Sequence, residues 1–287
     1  MEKTGAGASG DHDQKTYWSS DPGQKWIENE DQLDNMMQSV SDRLMVRGAP
    51  GPGERVLEIG CGTGALAIEI ARKVAPDGTV LALDISQPML ERARERGGAA
   101  GLSNLKFALA DAQSHALVPG GFDILLSRFG VMFFADTVAA LANLRVGLRP
   151  GGRLCFACWG PVSGIPWFTI PREVATARLG TPAPPEPDAP GPLRFADSAP
   201  VLAMLREAGF ADCRAELETI DMCLAGDLAA ALASTVGPAA RIMQEFSASE
   251  QDRAAIVAEL ADRFAQYAVG EAVCFPAGIW FYTARNG

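Results

Sequence analysis

From residue 55 to residue 159 short apolar runs alternate with segments whose apolar positions recur at helical spacing. The pattern predicts strand Arg55–Ile59, helix Ala65–Val74, strand Thr79–Asp84, helix Gln87–Arg96, strand Leu105–Leu109, strand Phe122–Ser127, helix Thr137–Leu148 and strand Arg153–Trp159. Strands joined by helical crossovers form a parallel sheet covered on both faces. Ser86 is placed to cap the helix with Pro88 in its first turn, and Asp136 to cap a later one. Pro150-Gly151-Gly152 is expected to end that later helix and return the chain to the sheet.

The flanks read differently. Residues 1–16 are expected to be a disordered leader, with order starting near Tyr17 and Trp18, and 17–49 a helical cap built on a helix from Gln24 to Arg47. The turn-rich GAPGPG at 48–53 leads into the core, 50–160. After Trp159 the stretch 161–197 reads as a stiff, lid-like excursion, because 181–192 holds six prolines in twelve positions. Within 198–287, Ser198–Ala208 is helical with Gly209 as its stop, Cys213–Ile220 is strand-like and Ala277–Thr283 is a last strand. An insertion at 227–268 is helical, and Ser249 with Asp252 resembles a capping box. No internal repeat is visible.

Composition narrows the class. The 287 residues, 48% hydrophobic, suit one large α/β domain with embellishments. A net charge of −10 argues against extended contacts with nucleic acid or anionic membranes and favours a small-molecule substrate. No apolar run reaches the roughly 20 residues of a membrane span, and the first residues lack a signal-peptide core, so a cytoplasmic protein, monomer or homodimer, is expected. The six cysteines are expected to be buried, reduced thiols. Cys155 and Cys158, three apart on a strand, point to opposite faces and do not chelate one metal; no metal site is expected.

The candidate chemistry begins at VLEIGCGTG, where an apolar strand breaks into Gly60, Gly62 and Gly64 and runs into a helix. Glycine lets a backbone leave a sheet sharply and lie against a ligand. Gly60-x-Gly62-x-x-Ala65 also satisfies the looser dinucleotide pattern, and Asp84, an acid at the end of the second strand suited to ribose hydroxyls, fits NAD as well. Two carboxylates decide otherwise. Asp111 ends the third strand, where an acid can accept from an exocyclic amine. Glu58, just before the glycines, would repel a pyrophosphate but suits an ammonium group. S-adenosylmethionine, cationic and without phosphate, is favoured over NAD.

With VLALDIS, FALADAQ, FDILLSRFGVMFF and LRPGGRLCFACW following in order, the chain resembles the class I S-adenosylmethionine-dependent methyltransferases, and within them the ubiquinone and menaquinone biosynthesis group. The resemblance covers about residues 50–160. It implies an α/β, Rossmann-like, doubly wound and mostly parallel seven-stranded sheet with helices on both faces. It also implies that Glu58 and the Gly60 backbone serve the methionine ammonium, with Cys61, Gly62 and Gly64 completing the loop. Asp84 would hold the ribose, Ile85 and Met89 flank the adenine, Asp111 and Ala112 read its edge, and the Ser127 backbone close the methionine side. Ile85 and Met89 read equally well as core. S-adenosylhomocysteine would be the product.

The expected activity is O-, N- or C-methylation of a small molecule, in secondary metabolism or quinone-like biosynthesis, in a bacterial setting suggested by the Ala- and Arg-rich composition. Alternatives are a cyclisation or rearrangement on the same fold and, further off, a nicotinamide-dependent oxidoreductase. Substrate contacts are expected from Arg128, Phe129 and Trp159 at the carboxyl ends of the strands, and from Trp18 and Trp26 in the cap, with Trp167 in the excursion. Arg128 is either a carboxylate ligand or a structural ion-pair partner. No catalytic residue is identified: His115 lies past Asp111 on the adenine side, and His12 falls in the leader.

Overall fold

Val56, Leu57, Glu58 and Ile59 are all buried, the burial of an inner parallel strand covered on both faces. In the computed structural model, which describes residues 14–184 and 188–287, this strand, β1 (Arg55–Ile59), is the middle one of the sheet's five parallel strands. It is flanked by β2 (Thr79–Asp84) and β4 (Phe122–Arg128), with β3 (Leu105–Leu109) and β5 (Leu148–Trp159) outside them, all parallel. Beyond β5, β8 (Ala272–Asn286) and then β6 (Phe210–Ala225) run antiparallel, giving the order β3-β2-β1-β4-β5-β8-β6. The short β7 (Ala268–Val269) pairs with the start of β8. The mostly parallel α/β sheet is therefore as expected, with β7 as an eighth strand. Outer β6 alternates in exposure, as an edge with one wet face does.

Helices α1 (Gln14–Trp18), α2 (Asp21–Glu28) and α3 (Glu30–Gly48) precede the sheet. The single helix expected from Gln24 is interrupted at Asn29, whose φ of −117° leaves the helical region and whose side chain caps the Lys25 carbonyl at 2.8 Å. Residues 14–16, assigned to the leader, are helical; 1–13 lie outside the described residues. α3 buries Leu33, Met36, Met37, Val40 and Leu44 along one stripe against β4, β5, β6 and β8. Crossovers α4 (Ala65–Val74), α5 (Gln87–Ala99) and α6 (Thr137–Gly147) follow, and Ser86 and Asp136 cap α5 and α6 by accepting from Met89 and Ala139.

Pro150-Gly151-Gly152 does not separate helix from strand. It lies inside β5 as an irregularity, with Gly151 at φ 70° and a register shift opposite Phe122 and Ile124, so β5 starts five residues early. The excursion contains α7 (Pro166–Leu179), and residues 185–187 lie outside the described set. α8 (Ser198–Glu207) follows it. The insertion divides into α9 (Gly226–Val236), α10 (Pro238–Glu245) and α11 (Glu250–Phe264) because Gly237-Pro238 and the turn before Ser249 break the helix. At α11 the Ser249 hydroxyl donates to Asp252 at 2.6 Å and accepts its N–H at 3.1 Å, a variant of the capping box. α7, α9, α10 and α11 pack together over the carboxyl edge of the sheet, and α2 meets α9.

The expectation of six free thiols is corrected at two positions. β6–β8 register sets Cys223 opposite Cys274, 51 residues on, and they form a disulfide. Nothing in the local sequence marks that pairing, which depends on strand register. Cys61, Cys155, Cys158 and Cys213 are free.

Asp123 joins the amino edge of three strands. It accepts from the Arg55 backbone N–H (2.8 Å), Arg55 Nε (3.1 Å) and Arg149 Nε (2.7 Å). Burial alone would raise its pKa, but these bonds outweigh it and hold the carboxyl down to about 2. The stabilisation is complete above the ordinary value of 3.8 and is lost as pH falls through about 2. Asp123→Asn should cost about 1–2 kcal/mol at neutral pH in denaturant unfolding, with the gap to wild type closing in acid.

Candidate functional site

The strand order reverses at β1, so the loops after β1 and β4 part at the carboxyl edge, where open α/β sheets bind ligands. A cavity of about 1180 Å³ lies there. Gly60 and Gly62 hold left-handed φ values of 69° and 54°. A Cβ on Gly60 would come 2.7 Å from Gly130 Cα, and one on Gly130 would come 2.5 Å from the Ile59 carbonyl oxygen, so bare backbone lets the two loops touch. A Cβ on Gly62 would meet no atom within 4 Å and would stand in the space a ligand needs.

Glu58, Gly60, Cys61, Gly62, Asp84, Ile85, Met89, Asp111 and Ala112 all line this cavity. Asp84 Oδ2 accepts the Gly62 N–H and Oδ1 the Ser86 N–H, each at 2.8 Å, which aims the carboxylate across the loop. Burial raises its pKa against those bonds. Asp111 accepts the Gln113 N–H at 2.9 Å, an Asx-type turn that fixes it at the end of β3. Gln113 then accepts from Ala135 and Asp136, tying this turn to the segment after β4.

Glu58 is the electrostatic anomaly. It is 2% exposed, and its Oε2 has no hydrogen-bond partner among the described residues. Burial pushes its pKa to about 8, with Arg128 opposing and Asp84 reinforcing the rise.

Gly64 and Ser127 are not among the lining residues. Gly64, at φ 86°, starts α4 and sits where a Cβ would meet Ala93 and Phe107 at 3.1 and 3.2 Å. Ser127 is fully buried; its hydroxyl donates to the Ile59 carbonyl at 2.8 Å and accepts the Gly130 N–H at 3.2 Å. Both shape the loops from behind.

Arg128, Phe129, Trp159, Trp18 and Trp26 line the same cavity, with Trp167. Arg128 donates to Ser41 at 2.7 Å and pairs with Asp34 at 3.5 Å. Phe129 stands at φ 63°, a strained conformation for a side-chain-bearing residue, held by its N–H bond to the Ala157 carbonyl. Its ring stacks on Trp159, centroids 4.4 Å apart and planes 11° apart, and Phe168 meets Trp159 edge-on. Trp18 packs on Trp26 and Phe133, while its carbonyl accepts from Ser86 Oγ at 2.8 Å, so α1 is joined to the cap of α5. His115 is not among the lining residues; His12 lies outside the described residues.

Sequence reasoning missed the bolt behind the loop. Asp34 accepts from Arg96 at 2.8 Å, Arg96 donates to the Thr63 hydroxyl at 2.9 Å, and Glu30 accepts from Arg92 at 2.6 Å. Acids at 30 and 34, one helical turn apart on α3, are the signal that could have revealed it. Among the described residues no cluster of three or more His, Cys, Asp or Glu could hold a metal, and no helix is long and apolar enough to cross a membrane.

Residues 56–152 match the family model of a methyltransferase domain. A nocamycin O-methyltransferase of Saccharothrix syringae is 29% identical over 86% of this chain and 90% of its own length. An aklanonic acid methyltransferase of Streptomyces sp. (strain C5) is 39% identical over 40% of this chain, an alignment spanning about half (52%) of that relative. The solved structure of a candidate methyltransferase from Bacillus halodurans C-125 shares the fold at a TM-score of 0.56 and 19% identity, covering 86% of this chain and 98% of that one. Fold and sequence agree on the class that the chain resembles: residues 56–152 match a methyltransferase domain, and the mostly parallel α/β sheet is the fold of the solved methyltransferase-like neighbour.

The raised pKa of Glu58 has a stability consequence. The folded chain keeps a proton that the unfolded chain gives up near 4.5, so stability falls as pH rises from there toward about 8. Glu58→Gln should flatten that decline and raise the melting temperature of the ligand-free protein at pH 8 more than at pH 5. Equal shifts at both pH values in thermal scans would contradict an uncompensated carboxylate.

Proposed function

We propose that the chain is an S-adenosylmethionine-dependent methyltransferase acting on a small-molecule acceptor. The observation that carries this reading is Glu58 Oε2, a buried acceptor with no partner among the described residues, beside a bare glycine loop. An ammonium group satisfies it; a pyrophosphate does not. When bound, the cofactor supplies a methyl carbon activated by a sulfonium.

The chain's own residues then have distinct tasks. Glu58 and the Gly60 backbone take the ammonium, and Asp84, pre-aimed by Gly62 and Ser86, accepts from the ribose hydroxyls. Ile85 and Met89 flank the adenine, with Asp111 and Ala112 at its edge. Ser127 and Gly64 serve by holding the loops in place. Phe129, Trp159 and Phe168 form an apolar wall that keeps water from the acceptor, and Trp18 with Phe133 closes the opposite side. Orientation of this kind supplies up to about 7–11 kcal/mol of a barrier, so a dedicated base is not required of every acceptor. The relatives named for nocamycin and aklanonic acid support a small-molecule acceptor.

Titration should give saturable binding of S-adenosylmethionine and none of NAD. Asp84→Asn should weaken binding by roughly 30- to 800-fold, the loss of about 2–4 kcal/mol of charge-assisted bonds. With cofactor carrying a heavy methyl, product should take up the label; product formed without label would overturn methyl transfer in favour of cyclisation or rearrangement.

A further inference from the structure

The cavity is also lined by charged groups that the proposed cofactor contacts do not use. Lys25, Arg172, Arg194, Arg241 and Arg253 line it, against Asp21, Asp188 and Glu245. With Arg128, Asp34, Glu58, Asp84 and Asp111 counted as well, six cations face seven carboxylates over the whole cavity, near balance in a chain of net charge −10. Several cations are already engaged. Arg128, deeper in, is held by Ser41 and Asp34, the Arg194 guanidinium donates to the carbonyls of Phe134 and Ala135, and Arg253 donates to the Ala248 carbonyl.

Arg172 on α7 and Arg241 on α10 differ. Both side chains line the cavity, and among the described residues neither has a carboxylate in ion-pair range or a hydrogen-bond partner. α7 and α10 pack against each other, and Arg241 lies close enough to Tyr17 to oppose the rise that burial imposes on that phenol. The parallel Phe129–Trp159 pair, braced by Phe168, lines the same cavity. At about 1180 Å³ the cavity exceeds the roughly 300–1,000 Å³ of a site for one ligand, leaving room for a multi-ring acceptor beside the cofactor.

From this pairing of uncommitted guanidiniums with a stacked aromatic wall we infer that the acceptor is a planar aromatic anion. Its rings lie against Phe129 and Trp159, and Arg172 and Arg241 take its carboxylate or phenolate. The guanidinium fork matches a carboxylate, and a flat ring gains offset stacking from the wall. The inference rests on the methyltransferase reading, because it assigns lining residues that the proposed cofactor contacts do not use.

The test is calorimetric titration of protein preloaded with S-adenosylhomocysteine, using anthraquinone-2-carboxylate, its carboxamide and benzoate as probes. The anthraquinone carboxylate should bind about tenfold or more tightly than the amide and than benzoate. The double variant Arg172→Gln, Arg241→Gln should bring the acid-to-amide ratio near one without changing S-adenosylhomocysteine affinity, which also reports that the variant is folded. Equal binding of acid and amide, benzoate binding as well as the anthraquinone, or a ratio that survives the double substitution would overturn the inference. Failure of the wild type to bind S-adenosylhomocysteine would strike the cofactor reading instead, and is read separately.

Discussion

A carboxylate buried without a partner is the constraint around which this structure is arranged. Glu58 sits on the central strand, 2% exposed, with Oε2 unsatisfied among the described residues. Such a group costs several kcal/mol of desolvation unless it keeps its proton or finds a cation. The geometry keeps local donors from relieving it. Gly60 and Gly130 bring two loops into backbone contact, Ser127 pins that contact to the Ile59 carbonyl, and Asp34 draws Arg128 toward α3. What remains is a pocket in which a ligand's positive charge is worth more than it would be in water.

The cavity lining is of two kinds. Around the glycine loop it is set by backbone: glycine φ values, N–H groups that aim Asp84, and an Asx-type turn at Asp111. Elsewhere it consists of large side chains from segments far apart in sequence, with α7 and α10 lining the same cavity as the ends of β4 and β5. Phe129 links the two kinds. Its strained backbone belongs to the loop that touches Gly60, and its ring belongs to the aromatic wall. Strain of about 1–3 kcal/mol at such a point is retained only where the surrounding contacts over-determine it.

Legibility in the sequence follows the same division. The strands of the parallel core were readable because an inner strand is a continuous apolar run, and the caps at Ser86 and Asp136 because capping is local. Glu58, Asp84 and Asp111 could be singled out because each ends a strand beside a turn. Register, in contrast, is not local. The Cys223–Cys274 pair, the bulge at Pro150-Gly151-Gly152 and the full lengths of β6 and β8 depend on how distant strands align. α7 was hidden by the prolines around it, although Pro166 at its first turn is compatible with a helix start. Arg172 and Arg241 carried no signal, since an exposed helical arginine is ordinary until the fold shows what space it borders.

The most direct measurement is the proton balance of cofactor binding. If Glu58 is protonated in the free protein and ionised against the ligand's ammonium, S-adenosylhomocysteine titrated calorimetrically near pH 7 in buffers of different ionisation enthalpy should release close to one proton. The Glu58→Gln protein should release none and bind more weakly. Binding with no proton release by the wild type, or the same release from both proteins, would show that the buried carboxylate is not what receives the ligand.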